Sequence, residues 1–523
     1  MFRRTLLIAS TVVAATAAMT SSADARPRAG AKTPHPTPLH LAPAHEQLAA
    51  LRRGAVTSRA LLQQYLDHHD KVNPGLTAVV TLDVDGARAA ADRADRHLAR
   101  TGRTLGALHG LPMTVKDALE TAGLRTTCGS PDLADHVPAR DADAVALLRA
   151  AGAVLFGKTN VPVLCQDIQT GNPLFGTTKN PFAEDRTAGG SSGGPAAAVA
   201  TGLSALEVGS DLAGSLRLPA AYCGVYALRT SRGASPVVPT RGHIPRPPDW
   251  ATSSDMLTLG PVARTAEDLD LLLDVLAAPA PADGAAWRID LPAPAKARLG
   301  QYRVGVWADD AYCRVDAATR ALLGRVTGLV RKAGAEVDES ARPVDFATSD
   351  RLFQRLLYAT SAASATDAAF AAEVEAAATI PAGDPGGLYL HARTMRHRDW
   401  ALADEARQQL RRAWADYFTR HDVLITPAAP TAAVPDQTSV PVPQRFITVD
   451  GARRPYFDQT SWINLAGPVG LPSVVLPAGT TDEGLPLSVQ VIGPYLADRT
   501  VIAVAKLLAR VLPAPPTAPA LRA

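Results

Sequence analysis

The stretch that constrains this chain most is Gly189-Gly190-Ser191-Ser192-Gly193-Gly194, four glycines around two serines. Glycine lets the backbone turn tightly and lets other groups approach it closely. Such a run therefore predicts a packed turn rather than the interior of a strand. Pro195 and the run Ala196-Ala197-Ala198-Val199-Ala200 follow at once. Proline suits the first turn of a helix, where its missing N–H costs nothing. The loop thus opens into a helix whose N-terminal amides can support an anion.

Around this loop, short β-branched runs alternate with longer helical patterns. Strands are expected at Thr77–Leu82, Pro112–Lys116, Ala153–Phe156, Ala205–Val208, Tyr302–Val306, Val423–Thr426, Ser473–Leu476 and Ser488–Ile492. Helices are expected at Arg59–His69, Asp85–Arg100, Ala142–Ala150, Ala266–Leu276, Ala317–Ala333, Asp399–Tyr417 and Arg499–Val511. Ser58 and Thr265 precede two of these helices as N-caps. Strands spaced by helices predict an α/β fold with a mixed, mostly buried central β-sheet covered by helices. The Ala/Pro/Gly-rich stretch Ala278–Ala295 reads as a connection inside one fold, with an interdomain linker as the alternative. Two stretches, Thr360–Arg393 and Pro427–Pro443, read as irregular segments that shape a pocket or simply lie on the surface.

Composition narrows the function classes. The chain has 523 residues, of which 47% are hydrophobic and 20% charged. That is ordinary globular usage and excludes wholesale disorder. At about 150 residues per domain, length alone suggests three domains. The 53 basic and 50 acidic residues nearly cancel. This balance gives no electrostatic reason to bind nucleic acid or an anionic membrane. Cys128, Cys165, Cys223 and Cys313 include no C-x-x-C pair, so neither a zinc site nor a thioredoxin-like motif is expected.

The first 25 residues read as an export signal. Arg3 and Arg4 form a charged start, an apolar stretch runs from Leu6 to Ala18, and Ala23-Asp24-Ala25 fits a cleavage site. Arg3-Arg4 admits the twin-arginine route as well as general secretion. A secreted protein is expected, with residues 26–44 as a flexible Pro-rich lead-in, 45–511 as the enzyme domain and 512–523 as a flexible tail. In an exported chain the four cysteines allow one or two disulfides. No later stretch is long and apolar enough for a stable membrane anchor.

Three enzyme readings compete for the Gly/Ser loop. A phosphate-binding loop fails, because no lysine follows the glycines. A nucleophile elbow fits, since Gly190-Ser191-Ser192-Gly193-Gly194 matches G-x-S-x-G. It makes Ser192 the nucleophile of an esterase and calls on His391, His397 or His421. The third reading uses a wider constellation: His109-Gly110-Leu111-Pro112-Met113-Thr114-Val115-Lys116-Asp117 upstream, and Gly209-Ser210-Asp211-Leu212-Ala213-Gly214-Ser215-Leu216-Arg217-Leu218-Pro219-Ala220 downstream.

Together with the Gly/Ser loop, these segments resemble the amidase signature family in order and serine spacing. Gly157–Asn160, Gly176–Pro181, Ala221–Val225, Asn464–Gly467 and Gln490–Pro494 resemble further family elements, extending the likeness over roughly residues 40–510. Ala213 stands where many members have glycine, and Ala227-Leu228-Arg229-Thr230-Ser231 replaces a common Gly-Leu-Lys-Pro-Thr.

The resemblance implies one large α/β domain and amide hydrolysis. It makes Ser215 the nucleophile, Ser191 a proton relay following a cis peptide after Gly190, and Lys116 the general base. The backbone amides of Leu212, Ala213, Gly214 and Ser215 line the oxyanion hole, and Ser192, Asp211 and Arg217 support the site. Lys116 acts only when neutral, so burial must pull it below the usual lysine pKa of about 10.4. No metal or organic cofactor is implied. The expected partner is a small-molecule amide, with no nucleic acid, and the protein is expected to be a monomer or homodimer. Some family members are the glutamine-cleaving component of a tRNA-dependent amidotransferase, a role the leader segment argues against. The non-catalytic alternative is a binding protein on the same fold.

Overall fold

The structure is a computed structural model describing residues 38–246, 250–340 and 342–519. The leader and the start of the lead-in lie outside the described residues. Three early strands, β1 (Val79–Leu82), β2 (Pro112–Lys116) and β3 (Val154–Thr159), form a small sheet in the order β1-β3-β2. A short hairpin, β4 (Gly171–Asn172) and β5 (Gly176–Thr177), follows. The main sheet contains β6 (Glu207–Asp211), β7 (Tyr226–Arg229), β8 (Thr258–Ala263), β9 (Arg303–Val306), β10 (Glu336–Asp338) and β11 (Val423–Pro427). A second hairpin, β12 (Phe446–Val449) and β13 (Ala452–Pro455), precedes its last members, β14 (Ser473–Thr480) and β15 (Pro486–Ile492).

The eight strands are ordered β10-β9-β11-β15-β14-β7-β8-β6. β9 runs parallel to β10 and β11, and the other pairings are antiparallel, so the sheet is mixed as expected. Most of its strands are buried along their length, which explains their apolar runs rather than alternation. Everything from Leu39 onward forms one compact unit, so the three domains suggested by length give way to one.

β2 lies beside β6 without a backbone ladder between them. Side chains span the gap. The Thr114 N–H donates to Ser204 Oγ at 3.0 Å, while the Thr114 and Thr159 hydroxyls donate to Glu207 Oε1 at 2.6 and 2.9 Å. This seam brings Lys116, at the end of β2, next to Ser210 and Asp211, at the end of β6.

Helices cover the sheets much as the spacing predicts. Ala317–Lys332 starts at Asp316, whose carboxylate accepts the Thr319 N–H, and buries Leu322, Leu323, Val326 and Val330. Thr265 caps Ala266–Leu276 as expected. At the second helix the cap is Thr57, not Ser58. Thr57 holds the extended conformation and accepts the Ala60 N–H, while the Ser58 hydroxyl donates instead to Gly110 O at 2.6 Å.

Both expected flexible margins are partly folded. His40 and Ala44 are buried, and the carbonyls of His40 and Ala42 accept from Gln47 and Arg264. Leu512 and Ala518 are buried at the other end. The expected irregular stretch 360–393 is largely helical: Phe346–Ser361 reaches into it, and Asp367–Ala378 and Leu388–Arg393 follow. In Asp367–Ala378 only Ala377 is buried, so no apolar stripe marks the helix in the sequence.

Candidate active site

The Gly/Ser loop is held from several sides. Thr170 Oγ1 donates to Gly189 O at 2.8 Å and accepts the Gly193 N–H at 3.1 Å. A Cβ on Gly190 would meet the Gln169 nitrogen and the Ile168 carbonyl carbon at 2.7 Å, so only glycine fits against that backbone. The Gly190–Ser191 peptide is cis. The loop then opens into the fully buried helix Gly193–Ala200, as the proline and alanines predict. The Ser192 N–H donates to Ser215 O at 3.0 Å, joining the two serine segments through their backbones.

Lys116 sits at the centre of this arrangement, fully buried. Its Nζ lies 2.7 Å from Ser191 Oγ, 2.9 Å from Ser192 Oγ and 2.8 Å from Ser210 Oγ. Burial lowers its pKa, against opposing contributions from Cys165, Cys128 and Asp211. Asp117 does not hold it charged: the Asp117 carboxylate turns to Thr127, accepting from its N–H at 3.1 Å and its hydroxyl at 2.6 Å. Ser215 is 8% exposed, whereas Ser191 and Ser192 are 0% exposed. Of these three hydroxyl-bearing residues, only Ser215 retains contact with solvent.

Asp211 organises the second loop. Its oxygens accept from Arg217 Nε and Nη2, both at 2.9 Å, from Arg229 Nη1 at 3.0 Å, and from the N–H groups of Gly214 and Leu216 at 3.0 and 3.3 Å. Burial alone would raise the Asp211 carboxyl, but Arg217 and Arg229 outweigh it and hold it well below the usual carboxylate range. One carboxylate and two guanidiniums leave a net positive charge beneath the loop. Arg217 also donates to Gln490 Oε1 at 2.9 Å and to the Ile463 carbonyl, and Arg229 donates to Gly467 O at 3.2 Å. The C-terminal segments around Asn464 and Gln490 therefore belong to the site's foundation.

Of the four expected oxyanion donors, Gly214 is engaged elsewhere. The Gly214 N–H is turned onto Asp211, which leaves Leu212, Ala213 and Ser215 as candidate donors. Ala213 in place of glycine is accommodated, because the left-handed conformation falls on Gly214 (φ 94°) and not on Ala213. A Cβ on Gly214 would also strike Ile463 Cδ1 at 2.3 Å.

The esterase reading loses its histidine. His421 pairs with Asp338 at 3.1 Å, and His397 stacks on Trp400. His391 lies in Leu388–Arg393 beside Gly387. The histidine that does reach the site is His243, whose Nε2 lies 2.7 Å from Ser210 Oγ. Neither was expected to act: His243 lies outside every motif segment, and Ser210, though inside one, was given no role there. Cys128 and Cys165 also meet here, with sulfurs 3.8 Å apart, and all four cysteines are free thiols. Among the described residues, no group of three or more His, Cys, Asp or Glu converges to hold a metal ion.

Of the two stretches expected to shape a pocket, 427–443 lies beside the Gly/Ser loop, while the apolar residues packed on Leu212 and Ala213 come from outside 360–393. Leu212 and Ala213 pack with Met256, Leu352, Phe353, Leu356, Leu357, Trp400 and Ala403, an apolar wall built by the helices Phe346–Ser361 and His397–Arg420. The Gln437 N–H donates to Gln169 Oε1 at 2.8 Å, anchoring the proline-rich stretch beside the Gly/Ser loop.

Known proteins resemble this chain along most of its length. The Amidase family matches residues 60–502. The chain is 33% identical to a glutamyl-tRNA(Gln) amidotransferase subunit from Synechococcus sp. (strain CC9902), over 87% of this chain and 93% of the relative. It is 32% identical to the corresponding protein of Roseiflexus sp. (strain RS-1), over 91% and 97%. Among solved structures it resembles a bacterial aryl acylamidase of the amidase signature family, with a TM-score of 0.75, 26% identity and coverage of 90% of this chain and 96% of the other. The chain belongs to the amidase family and is an enzyme that hydrolyses amide C–N bonds.

Proposed function

We propose that the protein is an exported amidase in which Ser215 attacks the amide carbonyl carbon of a small substrate. Neutral Lys116 accepts the Ser191 proton as Ser191 accepts that of Ser215. The oxyanion forms against the amides of Leu212, Ala213 and Ser215, above the net positive charge of Arg217, Arg229 and Asp211. Such preorganised donors are typically worth about 2.7–4 kcal/mol each in the transition state. The proton then returns through Ser191 to the leaving nitrogen, the amine or ammonia departs, and water hydrolyses the acyl-Ser215 ester. The single observation that carries this reading is the buried Lys116 Nζ, 2.7 Å from Ser191 Oγ on a loop tied by hydrogen bond to Ser215.

The apolar wall against Leu212 and Ala213 supports a substrate with an apolar acyl or aryl group. The residue pattern of the first 25 positions supports export. Among the described residues no helix is long and apolar enough to cross a membrane. A second reading, glutamine hydrolysis inside a multisubunit amidotransferase, is favoured by the names of the curated relatives. A mass-spectrometric screen of the purified protein against aryl and N-acyl amides, peptide amides, simple primary amides and glutamine separates them. Turnover of apolar amides without a partner is expected. Glutamine as the sole substrate would move the assignment to the second reading, and no turnover of any amide by the isolated protein would overturn the first. Fractionating the producing cells tests export, which a solely cytoplasmic product would overturn.

A further inference from the structure

Lys116 is surrounded by three hydroxyls but, when neutral, has two N–H donors and one lone pair. To accept a proton from Ser191 its lone pair must face Ser191, so both N–H groups must go to Ser192 and Ser210. Ser192 can accept, because its own hydrogen is directed at Ser210 O at 3.4 Å. Ser210 needs the same kind of anchor, or its hydroxyl is free to rotate and donate to the lysine lone pair. His243 Nε2, at 2.7 Å, supplies it.

We propose that His243, unprotonated at Nε2, is a positioning residue that fixes the Ser210 hydroxyl as an acceptor and thereby aims the Lys116 lone pair at Ser191. The segment carrying it is pinned to the turn that follows Lys116. The Ile244 N–H donates to Ala118 O at 2.7 Å, the Glu120 N–H donates to Gly242 O at 2.9 Å, and Leu119 pairs with His243 as an isolated β-bridge. Arg241 fastens the His243 segment to Asp143 Oδ1 at 2.8 Å. Burial lowers the His243 pKa, assisted by Arg246 and opposed by Cys165, and favours the neutral imidazole. The Cys165 sulfur also interacts with both His243 and Lys116, but sulfur is a weak hydrogen-bond partner beside the 2.7 Å Ser210–His243 contact.

The role of His243 rests on Lys116 as general base, and the test keeps the two apart. A fluorophosphonate, which needs no known substrate, reports nucleophile activation as kinact and binding as KI. The variants are Lys116→Ala, His243→Leu, His243→Gln, Ser210→Ala and the Ser210→Ala/His243→Leu double, made in the full chain and checked by thermal melting. His243→Leu should lower kinact about tenfold or more with KI changed less than about twofold, and His243→Gln, whose amide oxygen can accept in place of Nε2, should recover most of it. The double variant should be no worse than the poorer single, because both act on one link. A His243→Leu kinact near wild type, losses that multiply, or a Gln variant as poor as Leu would overturn the role of His243. Full reactivity in Lys116→Ala would instead overturn the lysine base itself. If His243→Leu does not fold, Ser210→Ala alone decides, since it removes the same link; an unchanged kinact there overturns the proposal.

Discussion

At the scale of single residues, burial decides what Lys116 can be. A lysine on the surface is a charged point, but burial away from water favours the neutral amine. Lys116→Ala should therefore lower amide turnover by roughly 10²–10⁴-fold, the usual worth of a general base, with an unchanged melt. Normal turnover by the folded variant would contradict the role. The pH dependence has a definite sign. Protonated Lys116 cannot accept a proton, so kcat/KM should rise with pH through the lowered lysine pKa and then level off, the limb lying below the ordinary lysine range. A flat profile under conditions where chemistry limits the rate counts against a lysine base. Lys116, Ser191 and Ser215 were legible in the sequence as candidates, and the structure brings Lys116 to Ser191 and ties the loop to Ser215. His243 was not, because its role comes from a turn that only the folded chain places 2.7 Å from Ser210.

At the scale of elements, the site depends on two strand ends lying side by side and on one buried ionic cluster. Asp211 is the shared counter-ion of two guanidiniums that have no access to water. Asp211→Ala leaves both unpaired and should cost about 3–5 kcal/mol, read as a large fall in Tm or failure to accumulate folded protein. A melt within a degree or two of wild type would show that the cluster is not structural. The strand β2 was legible down to its ends, because an apolar run bounded by Gly110 and Asp117 has few alternatives. β8 escaped notice because Gly260 and Pro261 interrupt it, and both residues are usually kept out of strand interiors. The helix Asp367–Ala378 escaped because an alanine-rich, exposed helix has no periodicity to read.

At the scale of the whole molecule, length misleads and long-range contacts correct it. Arg217 and Arg229 reach residues near positions 463, 467 and 490, so the chain closes around its own site as one unit. The tail takes part. Leu512 and Ala518 are buried, and Pro516 lies against Gly224, the residue that ends the helix carrying Arg217. Removing residues 512–523 should lower stability by about 1.5–3 kcal/mol, the worth of burying one large apolar side chain. An unchanged Tm would mean that these contacts do not matter. Composition could not foresee this, since a Pro/Ala-rich tail looks the same whether it is packed or free.

The most direct test of the central claim is to treat the protein with a fluorophosphonate and locate the adduct by peptide mass spectrometry. A phosphonylated Ser215 in the wild type, and none in Lys116→Ala, is the expected result. Label on Ser192 with Ser215 untouched would contradict it.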